Sequence, residues 1–533
     1  MKNILEFIEN SALRYPNKMA VADENGGLTY GQMESLSRQI GAWIYEKASG
    51  VSNKPVAVLL DKKPESVAAY MGVVYSGNFY VVLDAEMPVS RAESILGTLM
   101  PAAIVTDTEH MDRAQALSCM DKWSQHVQTD EDGQNDHGEK IKVLNLDELD
   151  PEADQSVLGT VRKKAIDTDP VYALFTSGST GVPKGAVVSH RNVISYTYWY
   201  TEAFGIDENT IFGSQTPFYF SMSVSDLYST LKNGATLYII PKAYFTFPMK
   251  LMEFMNTYRI NTIYWVPSAL QIVANYKLFQ YAQLPELKKV LFAGEVMPTK
   301  PLNYWIQNLP DAMYANLFGP TETTDICTYY VVDREFADDE PLPMGRACNN
   351  CDVFVLDENG REVSPEIDPE TGFSHEGELY ARGSFVALGY FGNAEKTREA
   401  FVQNPLNTNY PELVYKTGDL VKYNRYGELV YVCRKDYQIK HMGYRIELGE
   451  IEAAAGAIDG IRSYACIYDD AADKILFIYE GKKKDETELL KAFQERVPHY
   501  MEPNRFVRVT SMPHNANGKI DRKTLKTEYA QGK

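Results

Sequence analysis

The sequence predicts a large N-terminal α/β domain with largely parallel sheets, followed by a small α+β C-terminal domain. Three observations predict it. The chain has 533 residues, more than one hydrophobic core serves at roughly 100–200 residues per domain. Short apolar runs alternate with helical patterns through the first four-fifths, the mark of parallel strands joined by crossover helices. Near Arg434 that alternation gives way to hairpin-like strands and short helices. We place the boundary at Asp436, giving domains 1–435 and 436–533.

VYALFTSG, ATLYIIP, NTIYWVP and KKVLFAGE each read as a buried strand running into a loop, and FPMKLMEFMNTYR has helical spacing. Ligand sites in such folds gather beyond the carboxyl ends of strands. Thr129–Lys140 is polar and acid-rich, which predicts a mobile surface loop. Further on, DLVKYNRYGELVYVCRKD reads as two strands with a turn at Asn424–Gly427. A helix (LGEIEAAAGAIDG), two strands (RSYACIYDD, KILFIYEG), a helix (ETELLKAFQERV) and a final strand (FVRVT) complete the second domain.

Apolar residues make up 44% and charged residues 23%, which places the chain among globular proteins. A net charge of -19 repels phosphate backbones and excludes nucleic-acid binding as the main task. A nucleotide has to be held locally, against the overall field. MKNILEFIENSALRYPNK lacks the features of a signal peptide, and no apolar run approaches the ~20 residues of a membrane span. Six cysteines suit free thiols in a reducing compartment, so the expected location is the cytoplasm. Cys348 and Cys351 form a lone CxxC without a second pair or histidines at zinc spacing, and read as ordinary thiols.

Five stretches carry chemistry. In TSGSTGVPKG, Thr176–Gly185, glycines let the backbone approach a ligand, hydroxyls donate to phosphate oxygens and Lys184 adds a positive charge. The spacing is not that of a Walker loop, and a flexible linker remains the alternative. In NLFGPTET, Asn316–Thr323, Phe318 offers a stacking face for adenine and Glu322 a carboxylate suited to Mg²⁺; a plain surface turn is the alternative. YKTGDL, Tyr415–Leu420, with Arg434 supplies an acceptor and a donor for a ribose. KHMGYRIELGEIE spans Lys440–Glu452. NGKIDRK, Asn517–Lys523, holds a lysine that is either a solvated surface charge or a mobile cation brought to a site.

In this order and with these gaps, together with LTYGQMESLS (Leu28–Ser37) and GELYARGSFVALGY (Gly377–Tyr390), the stretches resemble the adenylate-forming superfamily. More closely they resemble the amino-acid-activating domains of nonribosomal peptide synthetases and stand-alone D-alanine–carrier-protein ligases. The resemblance covers essentially the whole chain. It implies an ATP- and Mg²⁺-dependent enzyme that converts a small carboxylic or amino acid into an acyl-adenylate. The acyl group then passes to the phosphopantetheine thiol of a separate carrier protein. An acyl- or aryl-CoA ligase and a non-catalytic scaffold are the alternatives.

The resemblance also assigns residues. Thr176, Ser177, Gly178, Ser179, Thr180, Gly181 and Lys184 would cradle the phosphates. Gly294, Glu295, Asn316 and Phe318 would form the adenine pocket, with Gly319 and Thr321 beside it; many relatives carry tyrosine where this chain has Phe318. Glu322 would hold Mg²⁺, Asp419 and Arg434 the ribose. Lys519 would bridge carboxylate and nucleotide as the main catalytic residue, alongside Thr176, Lys184 and Glu322. Asp436 would be the hinge, and Lys440 with Gly443 part of the thiol-transfer segment. The acyl pocket would be Ser221, Met222, Ser225, Tyr264, Leu291, Ala293, Leu317, Asp325 and Ile326.

One position departs from the pattern. Amino-acid activators carry aspartate where this chain has Ser221, and Asp226 matches a different family position. Asp325 then has three readings: it holds an amine displaced from the common place, the substrate has no amine, or Asp325 points to solvent.

Overall fold

The computed structural model describes residues 1–48, 50–119, 141–176, 183–338, 340–435, 438–455, 458, 460–513 and 520–530. The acid-rich stretch 129–140 lies outside them. The chain forms two compact units. The first comprises Met1–Ala85, Leu99–Leu174 and Gly185–Lys435; the second comprises Glu86–Thr98, Phe175–Lys184 and Asp436–Lys533.

Two large sheets organise the first four-fifths of the chain. One has nine strands, and its central run is parallel: Met19–Ala22, Thr236–Ile239, Ile211–Ser214, Thr262–Trp265, Lys289–Phe292 and Met313–Phe318. Its edges are antiparallel, through Gly27–Thr29 on one side and Thr328–Val331 on the other. The other has seven strands, including Pro170–Thr176, Phe79–Leu83, Pro55–Leu59, Ala103–Thr106 and Lys142–Asn145 in parallel. Their residues are near-continuous apolar runs because both faces are covered, as in PVAVL and FYVVL, where every residue is buried. One apolar cluster with Trp265, Trp305, Tyr70 and Tyr196 runs through these layers.

A third, five-stranded sheet is antiparallel at every pairing among the described residues, and carries the expected hairpin Leu413–Tyr423 with Leu429–Arg434. The sequence expectation of largely parallel sheets holds for the cores of the two large sheets and not for this one.

In the second unit, Ile461–Asp469, Lys474–Gly481 and Arg505–Val509 form a three-stranded sheet. Its strands bury alternate residues on opposite faces. Ile475, Phe477 and Tyr479 pack with Ile451 and Phe493, while Leu476 and Ile478 pack with Leu525. Two elements escaped the sequence reading. Gln438–His441 and Tyr444–Glu447 form a hairpin whose two-residue loop, Met442 and Gly443, takes positive φ at both positions (50° and 80°), the geometry such tight hairpins need. After the strand Arg505–Val509, expected to be the last element, comes the helix Arg522–Tyr529, capped by the Asp521 carboxylate on the Thr524 amide. Its single buried position, Leu525, leaves too little apolar periodicity to be read from sequence.

Candidate active site

The strand Met313–Phe318 delivers Asn316, Leu317 and Phe318 to its carboxyl end, where Gly319 begins a tight turn. A side chain at Gly319 would place Cβ 2.4 Å from the Asp325 carbonyl oxygen and the Ile326 Cα, so only glycine lets the chain fold back here. Thr321–Thr323 forms one 3₁₀ turn. Thr324 follows with φ 70° and ψ -54°, and the Asp325 amide donates to the Thr323 carbonyl at 2.8 Å. That is a γ-turn, a rare and strained backbone, held by the Thr324 hydroxyl on the Phe385 carbonyl at 2.8 Å. Its result is that Glu322 and Asp325 both point inward. Glu322 is fully buried, and its Oε1 accepts from the Tyr390 hydroxyl at 2.5 Å.

Asn316 donates through Nδ2 to the Pro343 carbonyl at 2.8 Å, and the Phe318 ring lies 6.2 Å from that of Tyr431. At the end of the next strand, Lys289–Phe292, Gly294 takes φ 90°. Glu295 accepts the Ser268 amide at 2.7 Å.

Asp419 and Arg434 are register partners on adjacent antiparallel strands. Arg434 Nη1 lies 3.1 Å from Asp419 Oδ2 and donates to the Thr417 carbonyl at 2.6 Å. Both side chains are buried, and Asp419 Oδ1 has no hydrogen-bond partner among the described residues. A buried carboxylate oxygen without a donor is costly unless a ligand supplies one. A Cβ on Gly418, which has φ 75°, would lie 2.7 Å from Arg434 Nη2, so this glycine is what lets the guanidinium lie across the strand.

In the second unit, Thr176 and Lys184 flank the glycine-rich stretch of sequence. The Thr176 hydroxyl donates to the Lys184 carbonyl at 3.5 Å. Lys184 Nζ lies 3.3 Å from Glu447 Oε1, which Gln438 Nε2 also contacts at 2.7 Å. Sequence reasoning missed Glu447 as a partner, because the pairing joins stretches far apart in the chain. Lys440 lies on the hairpin strand Gln438–His441, and Gly443 in its loop. Ser177, Gly178, Ser179, Thr180 and Gly181, the hinge residue Asp436 and Lys519 lie outside the described residues.

The expected acyl-pocket residues all lie in the first unit. Ser221, Met222 and Ser225 come from the start of the helix Met222–Asn233, and Tyr264 and Leu291 from parallel strands. Ala293, Leu317, Asp325 and Ile326 follow or end neighbouring strands. The Ser221 hydroxyl is not spent on capping the helix. Asp325 is 1% exposed, which rules out the reading that it points to solvent: the γ-turn aims it into the protein. Burial pushes its carboxyl up to about 6, although the hydroxyls of Ser225, Tyr196, Tyr264 and Ser221 favour the ionised form. Tyr196, on the helix His190–Ala203, was not foreseen; the aromatic run YTYWY gives no sign of which ring reaches Asp325.

Parallel sheets whose strands run into loops carrying the buried carboxylates Glu322 and Asp325 make an α/β fold of the kind in which ligands bind beyond strand ends. The family model for "AMP-binding enzyme" matches residues 8–391, and the chain belongs to that family. Enzymes of this family use ATP. The chain is 30% identical over 541 residues to a D-alanine–D-alanyl carrier protein ligase of Bacillus cereus (strain G9842), covering 98% of this chain and 99% of that one. It is equally similar, 30% over 531 residues, to zwittermicin A synthase ZmaJ of Bacillus cereus, covering 98% and 94%. Among solved structures, the Vibrio cholerae adenylation domain AlmE in complex with glycyl-adenosine-5'-phosphate shares the fold. Its TM-score is 0.80 at 22% identity, covering 99% of this chain and 97% of that one. Among the described residues, no helix is long and apolar enough to cross a membrane.

Proposed function

We propose that the chain uses ATP to activate a small carboxylic or amino acid as its acyl-adenylate, then passes the acyl group to the phosphopantetheine thiol of a separate carrier protein in the cytoplasm. The observation that carries this reading is the similarity, nearly end to end, to a D-alanine–D-alanyl carrier protein ligase. The geometry supports it. Asp419, with one oxygen on Arg434 and the other lacking a partner, suits a ribose hydroxyl as donor. Phe318 offers adenine a flat face, bordered by Gly294, Glu295 and Asn316. Thr176 through Lys184 would hold the phosphates, with Lys184 leaving Glu447 for them.

Glu322 would hold Mg²⁺: its carboxylate is a hard oxygen donor, and the Tyr390 hydroxyl orients it from behind. Bound there, Mg²⁺ would offset charge on the leaving pyrophosphate. The remaining work is positioning. An ionised carboxylate needs no general base, but it meets the α-phosphate as a like charge. Lys519 would sit between the two and stabilise the charge they share. Residues 436–533 would then turn about Asp436, withdraw Lys519 and present the segment with Lys440 and Gly443 to the incoming thiol.

The test incubates purified protein with Mg²⁺, ATP and a broad panel of acids, and follows pyrophosphate release and adenylate trapped by hydroxylamine. Adenylate formed from at least one acid, with transfer to a loaded carrier protein, is the expected result. No pyrophosphate from any acid overturns the reading. Release of AMP that free coenzyme A accelerates and a carrier protein does not would make the enzyme a coenzyme A ligase instead.

A further inference from the structure

The acyl pocket holds more buried negative charge than the protein neutralises. Asp325 accepts three hydrogen bonds, from Ser225 Oγ at 2.7 Å, the Tyr196 hydroxyl at 3.0 Å and the Tyr264 hydroxyl at 3.1 Å. All three end on Oδ2. Oδ1 receives none of them, and the Ser221 hydroxyl stands close enough to favour the ionised carboxylate. One helical position further on from Ser225, Asp226 is fully buried, and neither of its oxygens completes a hydrogen bond among the described residues. The cation that acts on Asp226 is Lys62, whose Nζ donates to Ser214 O and Oγ, both at 3.0 Å. The two aspartates repel each other, and among the described residues Asp325 makes no ion pair.

With two carboxylates and one ammonium, the cluster carries one negative charge too many when all three groups are ionised. That count is the same whether Lys62 and Asp226 are both charged or have exchanged a proton and are both neutral. A net charge buried among Tyr196, Tyr264 and Ile326 needs a partner of opposite sign. The strained γ-turn at Thr324 maintains the arrangement, and backbone strain persists where the surroundings impose it.

We propose that Asp325 is the specificity-determining residue of this enzyme and that its substrate is an amine-bearing carboxylic acid, whose ammonium docks on Asp325 Oδ1 beside Ser221. This deepens the adenylation reading and rests on it. The three hydroxyls on Oδ2 fix the carboxylate so that Oδ1 is left for the substrate and Ser221. On the helix side, Ser221 and Ser225 put only small hydroxyl side chains beside Asp325. The negative charge reaches this corner from the turn after Met313–Phe318 instead of from the helix that begins at Met222. An acid of the same size without an amine would leave the charge uncompensated and bind poorly.

The experiment compares matched acids, each α- or β-amino acid against its desamino and hydroxy counterparts, in hydroxylamine trapping with ATP and Mg²⁺. The expected result is a preference of about 100- to 1000-fold in kcat/KM for the amino member, since an unpaired buried charge costs that much. Asp325→Asn, nearly the same shape, should bring the ratio towards unity chiefly through KM for the amino acid. Adding Ser221→Asp to Asp325→Asn should restore at least about tenfold of the preference, because it returns a carboxylate to the same corner. A purely structural role for Asp325 would not give that rescue. Equal adenylation of amine-free counterparts by the unaltered enzyme overturns the proposal, and that comparison needs no variant to fold. An unchanged ratio in a folded Asp325→Asn also overturns it. No adenylate from any acid, with or without an amine, overturns the adenylation reading and this proposal with it.

Discussion

At Gly319 a single methyl group decides whether the site can form. The added Cβ would meet the Asp325 carbonyl oxygen, the Ile326 Cα and the Cys327 amide nitrogen, all of them backbone. Relief would require moving the segment that aims Asp325 and Glu322. Gly319→Ala should therefore lower stability by about 1–3 kcal/mol, seen as a lower urea midpoint, and lower adenylate formation more than that loss of folded protein explains. An unaltered midpoint would show that the turn has slack. Gly159 is the opposite case. It lies inside the helix Ser156–Lys164, and a Cβ there meets nothing within 4 Å. Gly159→Ala should raise stability by about 0.5–1 kcal/mol, measured by the same midpoint, without touching activity. The sequence reading took Asn316–Thr323 as a candidate stretch and so included this glycine. It could not supply the reason for the glycine, because Asp325 approaches it only after the γ-turn has folded the chain back.

Between elements, one histidine joins the amino terminus to the rest of the first unit. The helix Leu5–Arg14 has no side-chain cap of its own. His190, first residue of the helix His190–Ala203, accepts the Ile4 backbone amide on Nδ1 at 3.2 Å, and its Nε2 stands 3.4 Å from the side-chain Nδ2 of Asn3. Burial first, then the nearby Arg162, pulls its pKa down to about 3. In the unfolded chain the ring titrates near its ordinary value of 6.5. Below that pH the unfolded state binds a proton that the folded state refuses, so the stabilisation is complete above 6.5 and is lost as pH falls. Between pH 7 and 5 the loss is about 2 kcal/mol. Asp325 acts with the opposite sign over part of this range, since its raised value favours the protonated folded state. Comparing denaturant curves of the unaltered protein and His190→Gln at both pH values separates the two. The unaltered protein should lose about 2 kcal/mol more than the variant, and parallel losses would refute the assignment. Apolar runs report burial directly, so VYALFTSG, ATLYIIP, NTIYWVP and KKVLFAGE were found as strands, and helical spacing found FPMKLMEFMNTYR. Periodicity passed over the hairpin at Met442–Gly443, whose signal is a turn without asparagine, and the helix Arg522–Tyr529, whose core contact is one leucine.

For the whole molecule, the order of motifs told more than any one of them. TSGSTGVPKG, NLFGPTET, YKTGDL, KHMGYRIELGEIE and NGKIDRK each have an ordinary reading alone, yet their succession pointed to the family that residues 8–391 match. What it could not convey is that the second unit draws on three separate stretches of chain, since contact between distant segments leaves no local pattern. That division bears on how two reactions share one enzyme. Adenylation needs a cation between two anions; attack of a thiol on the adenylate carbonyl creates no such meeting and has no use for the same lysine. Lys519→Ala should then lower pyrophosphate release about 100- to 1000-fold, while acyl transfer from synthetic adenylate to a loaded carrier protein changes only a few-fold. Gly443→Val should do the reverse, because the hairpin loop takes φ 80° there, which a β-branched residue resists. Measuring both half-reactions in both variants distinguishes a shared site with exchanged residues from a single fixed one. If each variant lowers both steps equally, the same residues serve both reactions, and the alternation about Asp436 is wrong.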